Sequence, residues 1–127
     1  MVAPCEIAVK CVVPVVRSLM AKGLQEKFGF TQETIGSFLG VTQAAVSHYF
    51  SKTRGNAFDL GEDEEIRALV ENVIDNLNSN TISAELLISE TCDICRTIRT
   101  KRKVCSMHKH MDPQFDITDC EICLKIQ

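Results

Sequence analysis

The residues of this chain that are best suited to chemistry are the cysteines near its carboxyl end. Two pairs, Cys92/Cys95 and Cys120/Cys123, each have two residues between their members, and Cys105 lies between the pairs. Two thiolates three positions apart can bind one metal centre side by side, so two such pairs supply four soft ligands. The pattern therefore predicts a metal centre. Buried free thiols or disulfides are the simpler alternative.

The metal is either zinc or the iron of an iron-sulfur cluster. Four cysteines satisfy a closed tetrahedral zinc site. Neither pair contains the Gly or Pro expected of a tight zinc-binding turn, because Ile94 and Ile122 lie inside the pairs within predicted helices. A fifth thiol, Cys105, fits a redox-active cluster more readily. We therefore expect an iron-sulfur cluster of the 4Fe-4S type, with zinc as the alternative, and we place His108 and His110 on the surface.

A second stretch, TQETIGSFLGVTQAAVSHYFS over residues 31–51, has the pattern of two short helices joined by a sharp turn. Apolar residues recur at helical spacing on both sides of Gly40, which can adopt the left-handed conformation that the turn requires. Thr31 and Thr42 can cap the two helices, and Gly36 is the small residue that two closely crossing helices need. The segment therefore predicts a helix-turn-helix.

The second helix of this segment presents short, mostly uncharged side chains to the outside. Such side chains suit base edges in the major groove: Gln43 can pair with adenine through two hydrogen bonds, and Ala44 can contact a thymine methyl group. The expected DNA-binding residues are Gln32, Thr42, Gln43, Ala44, Ser47, His48, Ser51, Lys52 and Arg54. Among them, Gln32, Lys52 and Arg54 are expected to hold phosphates. The alternative is a helical hairpin that serves only as core or protein contact.

Residues 15–55 resemble the helix-turn-helix of the phage-repressor class, also called the XRE family. In that family a Gln opens the first helix and another lies early in the recognition helix, as Gln32 and Gln43 do here. The resemblance implies that Gln32 braces Gln43 and contacts the DNA backbone. Nearly the whole chain, from PCEIAVK to the paired cysteines, is similar to small archaeal XRE-type predicted regulators, some described with an iron-sulfur type cysteine domain. In such proteins Cys5 lies in a recurrent segment, but the simpler expectation for it is a small buried hydrophobe.

Further helices are predicted on both sides of this segment. Residues 1–13 alternate like a strand and also fit a helical stripe; we favour a helix from near Pro4, interrupted and restarted at Pro14, and ended by Gly29. Another, over about residues 63–77, combines an acidic first turn with an unbroken apolar stripe, which either closes the core or forms part of a dimer contact. Ser83 can cap a last helix that leads into the first cysteine pair.

Length and composition limit the classes to which this protein can belong. With 127 residues and 45% hydrophobic content, the chain can form one domain plus an appendage. No stretch reaches the roughly 18 apolar residues of a membrane span, and the start lacks the basic region of a signal peptide, so we expect a cytoplasmic protein without a membrane partner. In that compartment, seven cysteines favour metal or redox chemistry over structural disulfides.

These features predict an all-α fold. Residues 1–78 are expected to form a repressor-like helix-turn-helix domain with flanking helices, and residues 79–127 a cysteine-rich region that binds the metal centre and is a candidate dimer contact. The expected function is a homodimeric transcriptional regulator that binds palindromic double-stranded DNA and senses redox state, oxygen or iron. One alternative is a regulator with a structural zinc. An electron-transfer protein or enzyme is less favoured, because no catalytic acid–base pair or phosphate-binding loop is present.

Overall fold

The computed structural model describes residues 1–51, 63–80, 82–118 and 120–125, and the regular elements within these ranges are all helical. The all-α class is therefore confirmed. In chain order the elements are α1 (Pro4–Ile7), a π-helical segment (Ala8–Val12), α2 (Val13–Phe28), α3 (Gln32–Leu39), α4 (Gln43–Phe50), α5 (Glu64–Asn78), α6 (Ala84–Thr100), α7 (Cys105–Met111) and α8 (Ile122–Lys125). None of these helices is both long and apolar enough to cross a membrane.

The N-terminal helix runs without a break through α1, the π-helical segment and α2. At the end of the π-helical segment the Val13 N–H donates to the Ala8 carbonyl, five residues earlier. Pro14 accounts for this widening, because it donates no hydrogen bond and its ring would clash with the carbonyl four residues before it. The helix ends at Gly29, whose φ of 68° is left-handed. The start near Pro4 and the end at Gly29 are as predicted, whereas the predicted interruption at Pro14 is wrong, because the helix widens there and continues.

Helices α3 and α4 are joined by a short turn whose features follow the local sequence. The Thr31 side chain accepts a hydrogen bond from the Thr34 N–H, and the Thr42 side chain accepts one from the Ala45 N–H. Each hydroxyl satisfies a backbone donor that the first turn of its helix leaves unpaired. Gly40 ends α3 with a φ of 69°. Both predicted caps and the predicted turn glycine are confirmed.

Gly36 lies where this turn passes closest to α3. A Cβ atom at this position would lie 2.7 Å from the Val41 carbonyl oxygen, which belongs to the backbone and has little freedom to move. The Val41 N–H donates to the Gly36 carbonyl at 3.0 Å, which holds the turn against the helix. Gly36 therefore allows the turn to pass close to α3, and it is the small residue that was predicted at this position.

Helix α2 lies at the centre of the apolar core and contacts α3, α4, α5 and α6. Each of these five helices contributes side chains that are fully buried, among them Val16, Leu24, Ile35, Val46, Ile66, Val73, Ile94 and Ile98. The burial of such side chains is the main favourable term in folding. Consequently α6, which carries the first cysteine pair, packs against the same helix that supports α3 and α4.

Helix α5 forms where its apolar stripe was predicted, and this stripe faces the core. The stripe residues that are buried are Ile66, Val70, Val73, Ile74 and Leu77. Asp63 caps the helix by accepting from the Ile66 N–H at 3.1 Å, and it also accepts from the Lys101 ammonium at 3.2 Å. These contacts lower the pKa of Asp63, because both favour its charged form. The start of α5 is thereby tied to the end of α6.

Candidate nucleic-acid interface and metal centre

The outer face of α4 carries the side chains predicted to contact bases. Val46 and Tyr49 are buried against the core, which turns the opposite side of the helix outward. The predicted residues on this side are exposed or, for Ser47, half-buried: Thr42, Gln43, Ala44, Ser47, His48 and Ser51. The face therefore consists of small side chains and one amide, which allows a close approach to a base pair.

A hydrogen bond couples the two glutamines that were singled out from the sequence. The Gln43 Nε2 atom donates to the Gln32 Oε1 atom at 2.6 Å. Gln32 is the first residue of α3 and Gln43 is the first residue of α4, so the bond spans the turn between the helices. It holds the Gln43 side chain in one orientation while the second N–H and the oxygen of that amide can serve other partners. This is the bracing contact that the resemblance implies.

Two of the expected phosphate contacts, Lys52 and Arg54, lie outside the described residues. The third, Gln32, is half-buried at the amino end of α3, directly beside Gln43. The amino end of a helix carries a partial positive charge and unpaired N–H groups, both of which favour a phosphate. The position of Gln32 is therefore compatible with a contact to the DNA backbone.

The five cysteines predicted as ligands lie on α6, α7, α8 and the loop before α8. Cys92 and Cys95 are one turn apart on α6, where Cys92 is exposed and Cys95 is buried. Cys105 begins α7, Cys123 is in α8 and Cys120 is in the preceding loop; all three are half-buried. The pairs are therefore carried by elements that are separate in the chain, and α8 packs directly against α6.

Cys95 interacts electrostatically with two other thiols. Burial raises the pKa of Cys95, and the nearby Arg99 guanidinium opposes this shift. The charges of Cys92 and Cys5 raise the pKa of Cys95 further. Cys5 is exposed, so the expectation that it is a small buried hydrophobe is wrong. The coupling of Cys95 to Cys5 was not expected from the sequence.

Cys123 connects the second cysteine pair to the first. Burial raises the pKa of Cys123, Arg99 lowers it, and the charges of Cys105, Cys120 and Cys95 raise it. Cys95 raises the pKa of Cys123, and α8, which carries Cys123, packs against α6, which carries Cys95, so we treat the two pairs as one group of thiols. We call this group the thiol cluster; its members are Cys5, Cys92, Cys95, Cys105, Cys120 and Cys123.

Arg99 is a buried cation beside this cluster. Only 8% of Arg99 is exposed, and its Nε and Nη1 atoms have no hydrogen-bond partner among the described residues. A buried guanidinium with two nitrogen atoms lacking acceptors is unfavourable, and a neighbouring anion would offset that cost. Sequence reasoning missed Arg99 because it lies in the basic run of residues 96–103, which has the composition of a solvated surface.

His108 contradicts its predicted place on the surface. It is only 5% exposed, its ring stacks on Phe115 with centroids 4.4 Å apart, and its Nε2 atom has no partner within the described part of the chain. The reason is helical spacing, since position 108 shares a face with Val104 and Met111, which pack on the core. His110 is exposed, as predicted.

The sulfur atoms of the thiol cluster are of the soft type that metals such as zinc and iron bind. Within the described ranges, however, no three Cys, His, Asp or Glu side chains converge in an arrangement that could hold a metal ion. Metal binding would therefore have to draw the thiols together, as is usual where a site forms together with its metal.

Comparisons of this chain with family models, with curated proteins and with solved structures gave no match. The resemblance to XRE-type regulators therefore rests on the residues quoted above.

Proposed function

We propose that this protein is a DNA-binding transcriptional regulator in which α3 and α4 form a helix-turn-helix and α4 enters the major groove. The observation that carries the proposal is the hydrogen bond from Gln43 to Gln32 across the turn. It fixes an amide at the exposed start of α4, which is the part of a recognition helix that meets base edges. The small, uncharged residues that follow on the same face leave room for a base pair.

The regulator is proposed to act as a homodimer on a palindromic operator. One recognition helix contacts too little DNA for typical specific affinity, so two copies are needed, with half-sites about one helical turn apart. The apolar stripe of α5 is buried within the chain and is not available for the dimer contact. The exposed Leu86 and Ile88, near the start of α6, are better candidates for that contact.

Replacing Gln43 with Ala is expected to lower operator affinity by about 1 to 3 kcal/mol and to relax specificity at one base pair of each half-site. The reason is that Gln43 contacts a base edge, whereas its loss leaves phosphate contacts unchanged. The operator is first selected from random duplexes, and binding is then measured by fluorescence anisotropy at fixed salt with duplexes substituted one base pair at a time.

Gln25→Ala is the matched control, since Gln25 is an exposed glutamine on α2, away from the α3–α4 turn. It is expected to bind like the wild type. If Gln43→Ala kept wild-type affinity, or lost affinity equally for every sequence, α4 would not be the base-reading helix.

The second part of the proposal is that the thiol cluster binds a metal centre that senses redox state, oxygen or iron. The support is that the five predicted cysteines lie on packed helices and the adjoining loop, near the buried Arg99, whose Nε and Nη1 atoms have no hydrogen-bond partner among the described residues. An iron-sulfur cluster of the 4Fe-4S type would supply redox and oxygen sensitivity, and a structural zinc is the alternative. The chain would contribute Cys92, Cys95, Cys105, Cys120 and Cys123 as its candidate ligands.

An absorption spectrum of protein purified without oxygen, together with metal analysis, separates the two kinds of centre. Broad visible absorption with iron and sulfide supports the cluster, whereas a colourless protein that contains zinc supports the alternative. Protein that contains neither metal, and that takes up neither on reconstitution, would exclude the metal centre.

A further inference from the structure

A cleft lies between α6 and the helices α2 and α3. Its walls come from α2, the end of α3 and the first half of α6, and its volume is about 200 Å³. A second cavity, of about 460 Å³, adjoins it along the start of α6, and the two share four lining residues: Arg17, Leu39, Leu87 and Ile88. Sites for small molecules typically have volumes of about 300 to 1,000 Å³. The cleft therefore has room for a small molecule.

The cleft is lined mainly by apolar side chains. Met20 and Leu39 belong to the core and lie at its base, whereas Ile88 is 64% exposed and lies at its mouth. Val13 and Leu87, which also line the cleft, are half-buried. Concave apolar surfaces that reach the solvent in this way are typical of ligand sites. A hydrocarbon group that entered the cleft would displace water from these side chains, which is favourable.

Among the described residues, Arg17 is the one charged side chain that lines the two cavities. It is half-buried, and it makes no hydrogen bond or ion pair within the described part of the chain. By contrast, Lys27, Arg96 and Lys101 each pair with a carboxylate. A guanidinium that is partly withdrawn from water gains from an anionic partner, because its donors are otherwise incompletely paired. Arg17 is therefore available to an anionic group of a ligand.

A single cation in an apolar cleft restricts the kind of anion that fits. At pH 7 a phosphate monoester carries a charge of about −1.5 to −2, of which one guanidinium would balance only a part. A carboxylate carries one negative charge, and its two oxygen atoms match the fork of N–H donors on a guanidinium. The apolar walls in turn favour a hydrocarbon group attached to that carboxylate.

We propose that this cleft binds a small free carboxylate that carries a hydrocarbon group, and that its carboxylate pairs with Arg17. The inference goes beyond the proposed function and depends on neither the operator nor the metal centre. A bound molecule would contact Leu39, the last residue of α3, directly before the turn into α4.

The test is isothermal titration calorimetry of the reduced full chain with octanoate and with 1-octanol, which has the same number of carbon atoms and no charge. The wild type is expected to bind octanoate at least about tenfold more tightly than octanol, because hydrogen bonds between charged groups are stronger than neutral ones. Arg17→Met is expected to remove this preference, and Arg17→Lys, which keeps the charge, is expected to retain most of it. The control is Arg96→Met, which removes an exposed cation elsewhere on α6 and should match the wild type.

The wild type alone can contradict the inference. Equal affinities for octanoate and octanol, or no binding of either, would overturn it. An Arg17→Met variant that bound octanoate like the wild type would also overturn it, because Arg17 would then only cover apolar surface with its aliphatic stem. A chain that failed to bind any operator would leave these results unchanged, so this inference and the proposed function fail independently.

Sedimentation equilibrium with and without octanoate tests the other possible occupant of the cleft, which is a second copy of this chain. Octanoate that binds without changing the mass of the particle supports the inference. A dimer that octanoate converted to monomers would mean that a partner copy occupies the cleft, and the inference would be overturned.

Discussion

Cys95→Ser is expected to lower the affinity for Co²⁺ by more than about 100-fold, which exceeds the effect of changes outside the ligand shell. Cys95 has this central role because it is coupled to Cys92 on its own helix and to Cys123 on α8. It is also beside Arg99, so its loss removes an anion from the neighbourhood of the buried cation. The measurement is an oxygen-free titration of the reduced, metal-free full chain with Co²⁺, which gives near-ultraviolet absorption in proportion to the number of bound thiolates.

Cys11→Ala is the matched control for this variant, because Cys11 and Cys95 are each 8% exposed. Both substitutions remove a buried sulfur from the apolar core, but Cys11 is outside the thiol cluster. The control is expected to lose some stability and to keep the Co²⁺ affinity of the wild type. Equal losses of Co²⁺ affinity in both variants would mean that packing, and not ligation, explains the effect of Cys95→Ser.

Arg99→Met is expected to have opposite effects on the metal-free and the metal-loaded protein. Without metal, burial raises the pKa of Cys95 and Cys123, so at neutral pH these thiols stay protonated and offer Arg99 no anion. Replacing an uncompensated buried charge with an apolar side chain of similar length should then raise the free energy of unfolding by about 1 to 3 kcal/mol.

With metal bound, the sign of the effect reverses. The thiolates would then be anionic, and Arg99 would stabilise them by its charge and by hydrogen bonds to sulfur. Arg99→Met should therefore weaken Co²⁺ binding by more than about tenfold. Urea unfolding of the metal-free protein, followed by circular dichroism, and the Co²⁺ titration measure the two effects separately.

Arg96→Met is the control for the arginine variant. Arg96 is on the same helix, its side chain is 42% exposed, and its Nη1 atom pairs with the Asp93 carboxylate at 2.9 Å. Exposed pairs of this kind contribute about 0 to 1 kcal/mol, so neither stability nor Co²⁺ affinity should change much. If Arg99→Met destabilised the metal-free protein and left Co²⁺ affinity unchanged, Arg99 would be a structural residue.

The parts of the fold that were predictable from sequence are those fixed by neighbouring residues. The caps at Thr31, Thr42 and Ser83 each follow from a hydroxyl placed before a helical stretch, and each hydroxyl accepts the expected backbone hydrogen bond. Gly29 and Gly40 end their helices in the left-handed conformation. The apolar stripe of α5 was also found, but periodicity could not distinguish an internal core from a dimer contact.

The parts that were missed depend on contacts between distant residues. Met1 and Val2 bind Asp112, more than 100 positions along the chain, and nothing in the local pattern indicates this contact. Arg99 was grouped with a basic run because charge patterns are counted along the chain, whereas its burial depends on how α6 packs. The burial of Arg99 and the packing of the chain's first residues on Asp112 were therefore not predictable, and the ligand set stays a prediction.

The measurement that tests the central claim most directly is the operator affinity of the protein before and after removal of its metal. Helix α6 carries Cys95 and packs on α2, which supports α3 and α4, so loss of the centre is expected to alter the separation of the two recognition helices in the dimer. Protein purified without oxygen, and the same protein treated with chelator, are titrated against one selected duplex. We expect the affinities to differ by more than about tenfold, or 1.4 kcal/mol, while circular dichroism stays that of a folded helical protein. Equal affinities for the two forms would contradict the account and reduce the metal centre to a structural role.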